Sequence, residues 1–156
     1  MKLIVTAGVL ASTLLAAPAL AHEVKAGDLT LSSLAVRASL GASPNTAAYL
    51  TITNAGSRPD RLLSVSCACA RKVEMHASEM SGDMATMKAT GPVAVPARGS
   101  VSFAPGGLHL MVMGLNTRLT DGGMQEMVLR FKRAGTVKAG FHVKAKIDQG
   151  MAGMKH

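Results

Sequence analysis

The sequence predicts a single all-β domain. Short segments rich in β-forming residues recur between turn-forming clusters of Gly, Pro, Asn and Asp throughout residues 22–148. No long segment with helical periodicity interrupts them, and a chain of this length is large enough for one hydrophobic core. Short strands at regular spacing, separated by turn signals, are typical of β-sandwiches and β-barrels.

The first 21 residues resemble a signal peptide. Lys2 precedes an apolar stretch over residues 3–17, and Ala19-Leu20-Ala21 has small residues where signal peptidases cut. The stretch is shorter than the roughly 20 apolar residues that a membrane-spanning helix needs. We therefore expect cleavage after Ala21, export to the periplasm, and a mature protein that begins at His22 and does not span the membrane.

The predicted strands follow one another through the mature chain, bounded by turn signals such as Asn54-Ala55-Gly56-Ser57. Their ranges are residues 47–53, 61–66, 71–76, 100–103, 108–113, 124–132 and 137–147. Gly114 is expected to end the fifth strand, and the last two strands are expected to pair as a hairpin. Residues 149–156 contain two Gly and no core pattern, so a flexible tail is predicted there.

The chain is basic, with a net charge of +8 that becomes +7 once Lys2 is removed with the leader. Such an excess would steer the protein towards acidic partners or anionic surfaces. Nucleic acid binding is not predicted, because the basic residues are scattered. Only 3 Phe, 1 Tyr and no Trp are available for stacking on bases.

Methionine and histidine are concentrated in the second half of the chain. Of the 11 Met, all but the initiator lie between Met75 and Met154, and four of the five His lie from His76 onward. Alternation along residues 108–113 places His109 and Met111 on one face of a strand and the apolar residues on the other. Thioether sulfur is soft and uncharged, and imidazole is borderline. This combination suits Cu(I) and argues against zinc.

His76 and Met87 are the other candidate ligands. Alternation along residues 71–76 places Lys72, Glu74 and His76 on one face, and Met87 follows a loop containing Gly82 and Asp83. Taken singly, each His is as well explained by a surface position, and each Met by a core position. The combination is what favours a metal site.

The four candidates are spaced as H-x10-M-x21-H-x-M, which resembles the signature of the periplasmic copper chaperone family PCu(A)C. The segments KAGDL (25–29), AAYLTITN (47–54), VEMH (73–76) and PGGLHLMVMGL (105–115) are also similar to family segments. The resemblance implies a cupredoxin-like Greek-key β-fold and no enzymatic activity. It further implies one Cu(I) ion held by the four predicted ligands, His76, Met87, His109 and Met111. The implied partner is a copper acceptor, either a cytochrome c oxidase copper domain or another copper chaperone.

Two positions depart from the family pattern. Ala35 stands where many members carry Trp, and Ala77 follows His76 where members often have a carboxylate. The next carboxylate is Glu79, so the group that orients the His76 ring has no direct equivalent here. The motif assigns no role to Met75, Met80, Met84 and Met113, which are left as shielding or core residues.

Cys67 and Cys69, the only cysteines, form the sequence C-A-C. Three interpretations stay open: a labile disulfide, a second Cu(I) site, or free thiols. A disulfide between residues i and i+2 of a strand would place the Cα atoms near the upper limit for bridging. The pair would also serve a thiol-disulfide reductase, the enzymatic alternative, but the usual C-x-x-C at a helix N-terminus is absent.

Further copper candidates lie at the two ends of the mature chain. Cleavage after Ala21 would give His22 a free α-amino group beside its imidazole, a chelating pair suited to Cu(II). The tail residues Met151, Met154 and His156 resemble the Met/His-rich extensions of some PCu(A)C members. Many copper ions held by the protein would indicate storage for copper tolerance, the non-enzymatic alternative to a chaperone.

Overall fold

The computed structural model describes residues 22–147, which form eleven β-strands and no helix. In chain order they are β1 Val24–Ala26, β2 Leu29–Arg37, β3 Asn45–Asn54, β4 Asp60–Ser66, β5 Ala70–Ser81, β6 Met84–Ala89, β7 Val93–Val95, β8 Gly99–Phe103, β9 Leu108–Leu115, β10 Met124–Phe131 and β11 Gly135–Lys144. Among these residues, no helix is long and apolar enough to cross a membrane. The predicted signal peptide and the predicted tail lie outside the described residues.

Seven of the strands close into a barrel in the order β2, β11, β10, β4, β5, β9, β3 and back to β2. Every neighbouring pair is antiparallel except β11 and β2, which run parallel. The four remaining strands attach to the barrel: β1 pairs with β2, β6 with β5, β7 with β4 and β8 with β3. The predicted all-β, cupredoxin-like fold is confirmed.

Alternation along the strands fills the barrel with one continuous apolar core. On β9, Leu110 and Val112 are fully buried, and on β10 Met127 and Leu129 are fully buried. Phe141 of β11 is the largest side chain with no exposed surface. Burial of each such side chain contributes roughly 1.5–3 kcal/mol to the stability of the folded barrel. The outward-pointing residues are thereby left free for chemistry.

Several strand boundaries differ from the predictions. Gly114 does not end β9; its φ of +71° is accessible to Gly without strain, and the strand continues to Leu115. β5 runs five residues beyond His76, to Ser81. There Gly82 and Asp83 form a two-residue turn, with Gly82 at φ +63°, and the chain returns as β6. Met87 therefore follows the connection at Gly82 and Asp83, as expected, but it lies on β6, which is not among the predicted strands.

Candidate metal centre

The register of β6, β5 and β9 places the four predicted ligands on one face of the sheet. His76 of β5 lies directly opposite His109 of β9, and Met111 lies opposite Glu74. Met87 of β6 lies opposite Ser78, two residues beyond His76. Directly opposed residues point to the same side of a sheet, as do residues two apart on one strand. All four side chains therefore project from the same face.

This face is the outside of the barrel, because Leu110, Val112 and Met75 occupy the core side of the same strands. Exposure nevertheless differs sharply among the predicted ligands. His109 is only 5% exposed and the His76 side chain 13%, whereas Met87 is 58% exposed. The two imidazoles are thus the buried members of the predicted ligand set, and Met87 is its solvent-exposed member.

Each imidazole has one nitrogen engaged and one buried nitrogen without a partner. His109 Nδ1–H donates to the Gly107 carbonyl oxygen at 3.0 Å, and His76 Nε2–H donates to Glu74 Oε2 at 2.9 Å. Among the described residues, the buried side-chain atoms that lack a hydrogen-bond partner are His76 Nδ1 and His109 Nε2. An unpaired buried polar atom costs about 1–3 kcal/mol. Two of them on facing residues are the lone pairs that a metal ion would take.

The separation of the two rings suits a shared ion. Their centroids are 5.8 Å apart and their planes are inclined by 59°. Imidazole nitrogens bind metal ions at about 2 Å, so two rings on one ion have centroids about 6 Å apart. The residues present therefore fit a metal held between His76 and His109, with thioethers completing the set. No group of three or more His, Cys, Asp or Glu side chains within residues 22–147 is arranged to hold a metal.

Glu74 is the residue that orients His76. Its carboxylate accepts hydrogen bonds from Lys72 Nζ at 2.8 Å and from His76 Nε2 at 2.9 Å. These bonds, the one from Lys72 first, hold the pKa of Glu74 below its ordinary value of 4.5. An ionised Glu74 keeps the proton on His76 Nε2 and leaves the Nδ1 lone pair free. The sequence signal was the shared face of residues 72, 74 and 76.

Glu79, the next carboxylate after His76, does not take this role. It forms an ion pair with Lys88 of β6 at 3.2 Å on the exposed surface. Glu79 lies three residues after His76, and side chains an odd number of residues apart on a strand point to opposite faces, so Glu79 lies on the other face of β5. The orienting carboxylate thus precedes His76 by two residues instead of following it.

An open cleft of about 480 Å³ leads to the face that carries the predicted ligands. Met87, His109 and Met111 line it, together with residues that include Arg37 and Tyr49. His76 is not part of the lining. A small ion or an incoming ligand can therefore reach both thioethers and one imidazole from solvent.

The methionines without a motif role fall into separate classes. Met75 is buried in the core, and Met113 is half-buried. Met80 and Met84 are each 71% exposed near the end of the β5–β6 hairpin. Met80 shares the face of Met87, whereas Met84 opposes Ser81 on the other face.

Cys67 and Cys69 are joined by a disulfide in the turn between β4 and β5. The expectation that their Cα atoms would be near the upper limit for bridging is wrong: the distance is 5.0 Å. The reason is that this segment is a turn and not an extended strand. Both residues are buried, and in this oxidised state neither offers the thiol that a second Cu(I) site or a free-thiol role requires. His22 is exposed, while Met151, Met154 and His156 lie outside the described residues.

The sequence model of the family described as "Putative lipoprotein LpqE-like" matches residues 29–143. The chain belongs to this family. One curated relative is "Putative lipoprotein Lxx21020" of Leifsonia xyli subsp. xyli (strain CTCB07), which is 30% identical over 100 residues. The match covers 64% of this chain and 60% of that protein, so the chain spans about three fifths of the relative's length.

Solved structures with the same fold include copper-binding domains. The copper-bound PCuAC domain from PmoF2 has a TM-score of 0.71 and 28% identity, covering 80% of this chain and 99% of that domain. The Cu(I) form of DR1885 from Deinococcus radiodurans, a solution structure, has a TM-score of 0.61 and 30% identity, covering 74% and 77%. The apo PCuAC domain from PmoF1 has a TM-score of 0.70 and 26% identity, covering 80% and 100%. These matches support the resemblance to the PCu(A)C family.

Proposed function

We propose that this protein is a copper chaperone that binds one Cu(I) ion through the four predicted ligands and passes it to another protein. The observation that carries the proposal is the pair of buried, unpartnered nitrogens, His76 Nδ1 and His109 Nε2. The two residues lie directly opposite each other on β5 and β9, and the strand register adds the thioethers of Met87 and Met111 on the same side. Two imidazoles and two thioethers form a soft, neutral donor set that selects Cu(I) over hard cations.

The proposed division of labour follows the exposure of the ligands. The imidazoles, held by Glu74 and by the Gly107 carbonyl, fix the position of the ion. Met87 is exposed on β6, so an incoming ligand from an acceptor can replace its sulfur first. Because thioethers never carry a proton, this exchange needs no proton transfer at sulfur. A site with hydrogen-bonded imidazoles on one side and an exposed thioether on the other favours transfer of copper over its retention.

The chain is proposed to work in the bacterial envelope. The family and the curated relative are both described as lipoproteins, and the leader-like residues 1–21 agree with export to the periplasm. The proposed acceptor is a cytochrome c oxidase copper domain or another copper chaperone. The net charge of +8, or +7 once Lys2 is removed with the leader, would favour an acidic docking face on that acceptor.

The proposal is tested by copper transfer under anaerobic conditions. The protein, loaded with one equivalent of Cu(I), is mixed with a purified, copper-free oxidase copper domain, and copper is measured in each protein after separation. Transfer of most of the copper is the expected result, and the His109→Gln variant should bind Cu(I) more weakly and deliver less of it. Retention of all the copper by the loaded protein would refute the chaperone role.

Storage for copper tolerance is the competing function. The exposure of Met80 and Met84 is the observation that favours it. Both are highly exposed on the hairpin that carries Met87, and further ions would find sulfur ligands there. Titration separates the two functions. A chaperone binds one or two ions tightly, whereas a storage protein holds many and releases few. The reductase alternative is not favoured, because the sulfurs of Cys67 and Cys69 are buried and exchange requires access to them.

A further inference from the structure

A second cluster of metal-ligating side chains lies on another wall of the barrel. His142 of β11 pairs directly with Met124 of β10. His22, two residues before β1, packs against His142 with ring centroids 5.8 Å apart and planes inclined by 86°. The sequence separates His22 from His142 by more than a hundred residues, and the β1–β2 hairpin beside β11 brings them together.

The cluster faces solvent and is separate from the candidate metal centre. Met127 of β10 and Phe141 and Val143 of β11 point into the core, so Met124 and His142 point outward. Met124 is 51% exposed. In the barrel order, β4 stands between β10 and β5 on one side, and β2 and β3 stand between β11 and β9 on the other. No ligand is shared between the two clusters.

Gly140 provides the space that brings Met124 and His22 close to each other. A Cβ atom at Gly140 would lie 2.7 Å from Met124 Cε and 3.9 Å from His22 Nε2. The thioether and the imidazole therefore both extend over the bare backbone of the same residue. His142, two residues further along β11, projects from the same face. Two imidazoles and one thioether thus converge on a single patch.

We propose that His22, Met124 and His142 form a second site for a soft monovalent metal ion, Cu(I) in the cell. The centroid separation equals that of His76 and His109, and about 6 Å is what two rings on one ion require. Two imidazoles and a thioether are neutral, soft-to-borderline donors of the kind that suit Cu(I). Since all three side chains are exposed, this ion exchanges with solvent more readily than the first. The inference does not depend on the proposed function, because the two sites share no residue.

The probe is Ag(I), a soft monovalent ion that does not change oxidation state. The protein, purified as its host processes it, is labelled with ¹³C at the methionine methyls and carries His109→Gln and Met111→Leu to disable the first site. One equivalent of Ag(I) should shift the Met124 methyl signal and the ring signals of His22 and His142. Adding Met124→Leu or His142→Gln should weaken this binding at least tenfold. Met84→Leu removes an exposed methionine outside the cluster, 71% exposed against 51% for Met124, and should change nothing.

Three results would overturn the proposal. The first is no shift of the Met124 methyl at one equivalent of Ag(I). The second is a response confined to Met151 and Met154, which would place the ion in the tail. The third is binding that survives both Met124→Leu and His142→Gln but not His22→Gln, which would indicate a terminal chelate. The proposed function fails by a different signal: in the wild-type protein, Met87 and Met111 would not respond to metal.

Discussion

β9 and β6 each carry one predicted thioether ligand, but they are held in the fold in very different ways. β9 is a barrel strand paired on both sides, with β5 and with β3, and its inward residues Leu110 and Val112 are fully buried. β6 pairs with β5 on one edge, and each of its six residues is exposed. Strands with little buried surface open at low free-energy cost, whereas core strands open only with the whole domain. Affinity should therefore be set by β5 and β9, and exchange by β6.

The largest effect is expected for His109→Gln. This change removes the buried Nε2 ligand atom from β9, a strand paired on both sides. Within residues 22–147, His76 Nδ1 is then the one buried side-chain nitrogen left without a hydrogen-bond partner. Cu(I) affinity should fall at least a hundredfold, about 2.7 kcal/mol, in anaerobic competition with a Cu(I) chelator. The far-UV spectrum and the thermal midpoint should stay close to wild type, since Gln can still donate a hydrogen bond at this position. An unchanged Cu(I) affinity in a folded variant would show that His109 of β9 is not a copper ligand.

A large effect is also expected from pH. Protons compete with copper for imidazole nitrogens but not for thioethers, so affinity should be level from about pH 7.5 to 9 and fall below about pH 6. The slope is at most two protons per copper, or about a hundredfold per pH unit. Chelator competition between pH 5.5 and 9 measures it. A continued rise above pH 7.5 would point to thiolate ligands, and hence to Cys67 and Cys69 in place of the two strands.

The ionisation of Glu74 does not contribute to the expected fall in Cu(I) affinity between pH 5.5 and 9. Its pKa is lowered in the folded state, so its stabilising contribution is complete above its ordinary value of 4.5 and is lost only as the pH falls through the lower, folded-state pKa. Removing the carboxylate is a separate test. Glu74→Ala should weaken Cu(I) binding about tenfold, because the His76 ring loses the acceptor that fixes its tautomer. Glu79→Ala, on the same strand but on the other face, is the control and should leave affinity unchanged.

The smallest equilibrium effect is expected for Met87→Leu. Its side chain is exposed to solvent on β6, which pairs on one edge only, so Cu(I) affinity should drop only a few-fold. The rate at which copper leaves for an acceptor should change more than the affinity, as measured by stopped-flow transfer to a chromophoric chelator. Met84→Leu lies on the same strand with its side chain on the opposite face and should alter neither quantity. An affinity loss for Met87→Leu as large as that for His109→Gln would contradict the proposed division between the two strands.

The β9 side of the site was predictable from the sequence, and the β6 side was not. Alternation of His109 and Met111 with Leu110 and Val112 gives both the strand and its faces, because one face must be buried. β6 has no buried face, so no periodic pattern marks residues 84–89, and the strand containing Met87 was missed. The two departures at Gly114 and at Cys67–Cys69 share a cause, since backbone geometry at a turn or a Gly is not encoded in side-chain alternation.

Contacts between side chains were harder to predict than strands. The shared face of Glu74 and His76 was visible, but the hydrogen bond between them depends on rotamers that only the packed structure defines. The approach of His22 to His142 has no local signal at all. It follows from the parallel pairing of β2 with β11, which joins the two ends of the domain. The sequence thus predicts which residues share a strand face, and the closed barrel decides which faces meet.

Two buried imidazoles and two thioethers are proposed to bind a single Cu(I) ion. X-ray absorption spectroscopy of the protein loaded with one equivalent of Cu(I) tests this proposal most directly. The predicted spectrum contains two nitrogen and two sulfur scatterers, with one sulfur lost in Met111→Leu and one nitrogen lost in His109→Gln. A copper shell made of sulfur alone, or one that neither substitution alters, would rule out this set of four ligands.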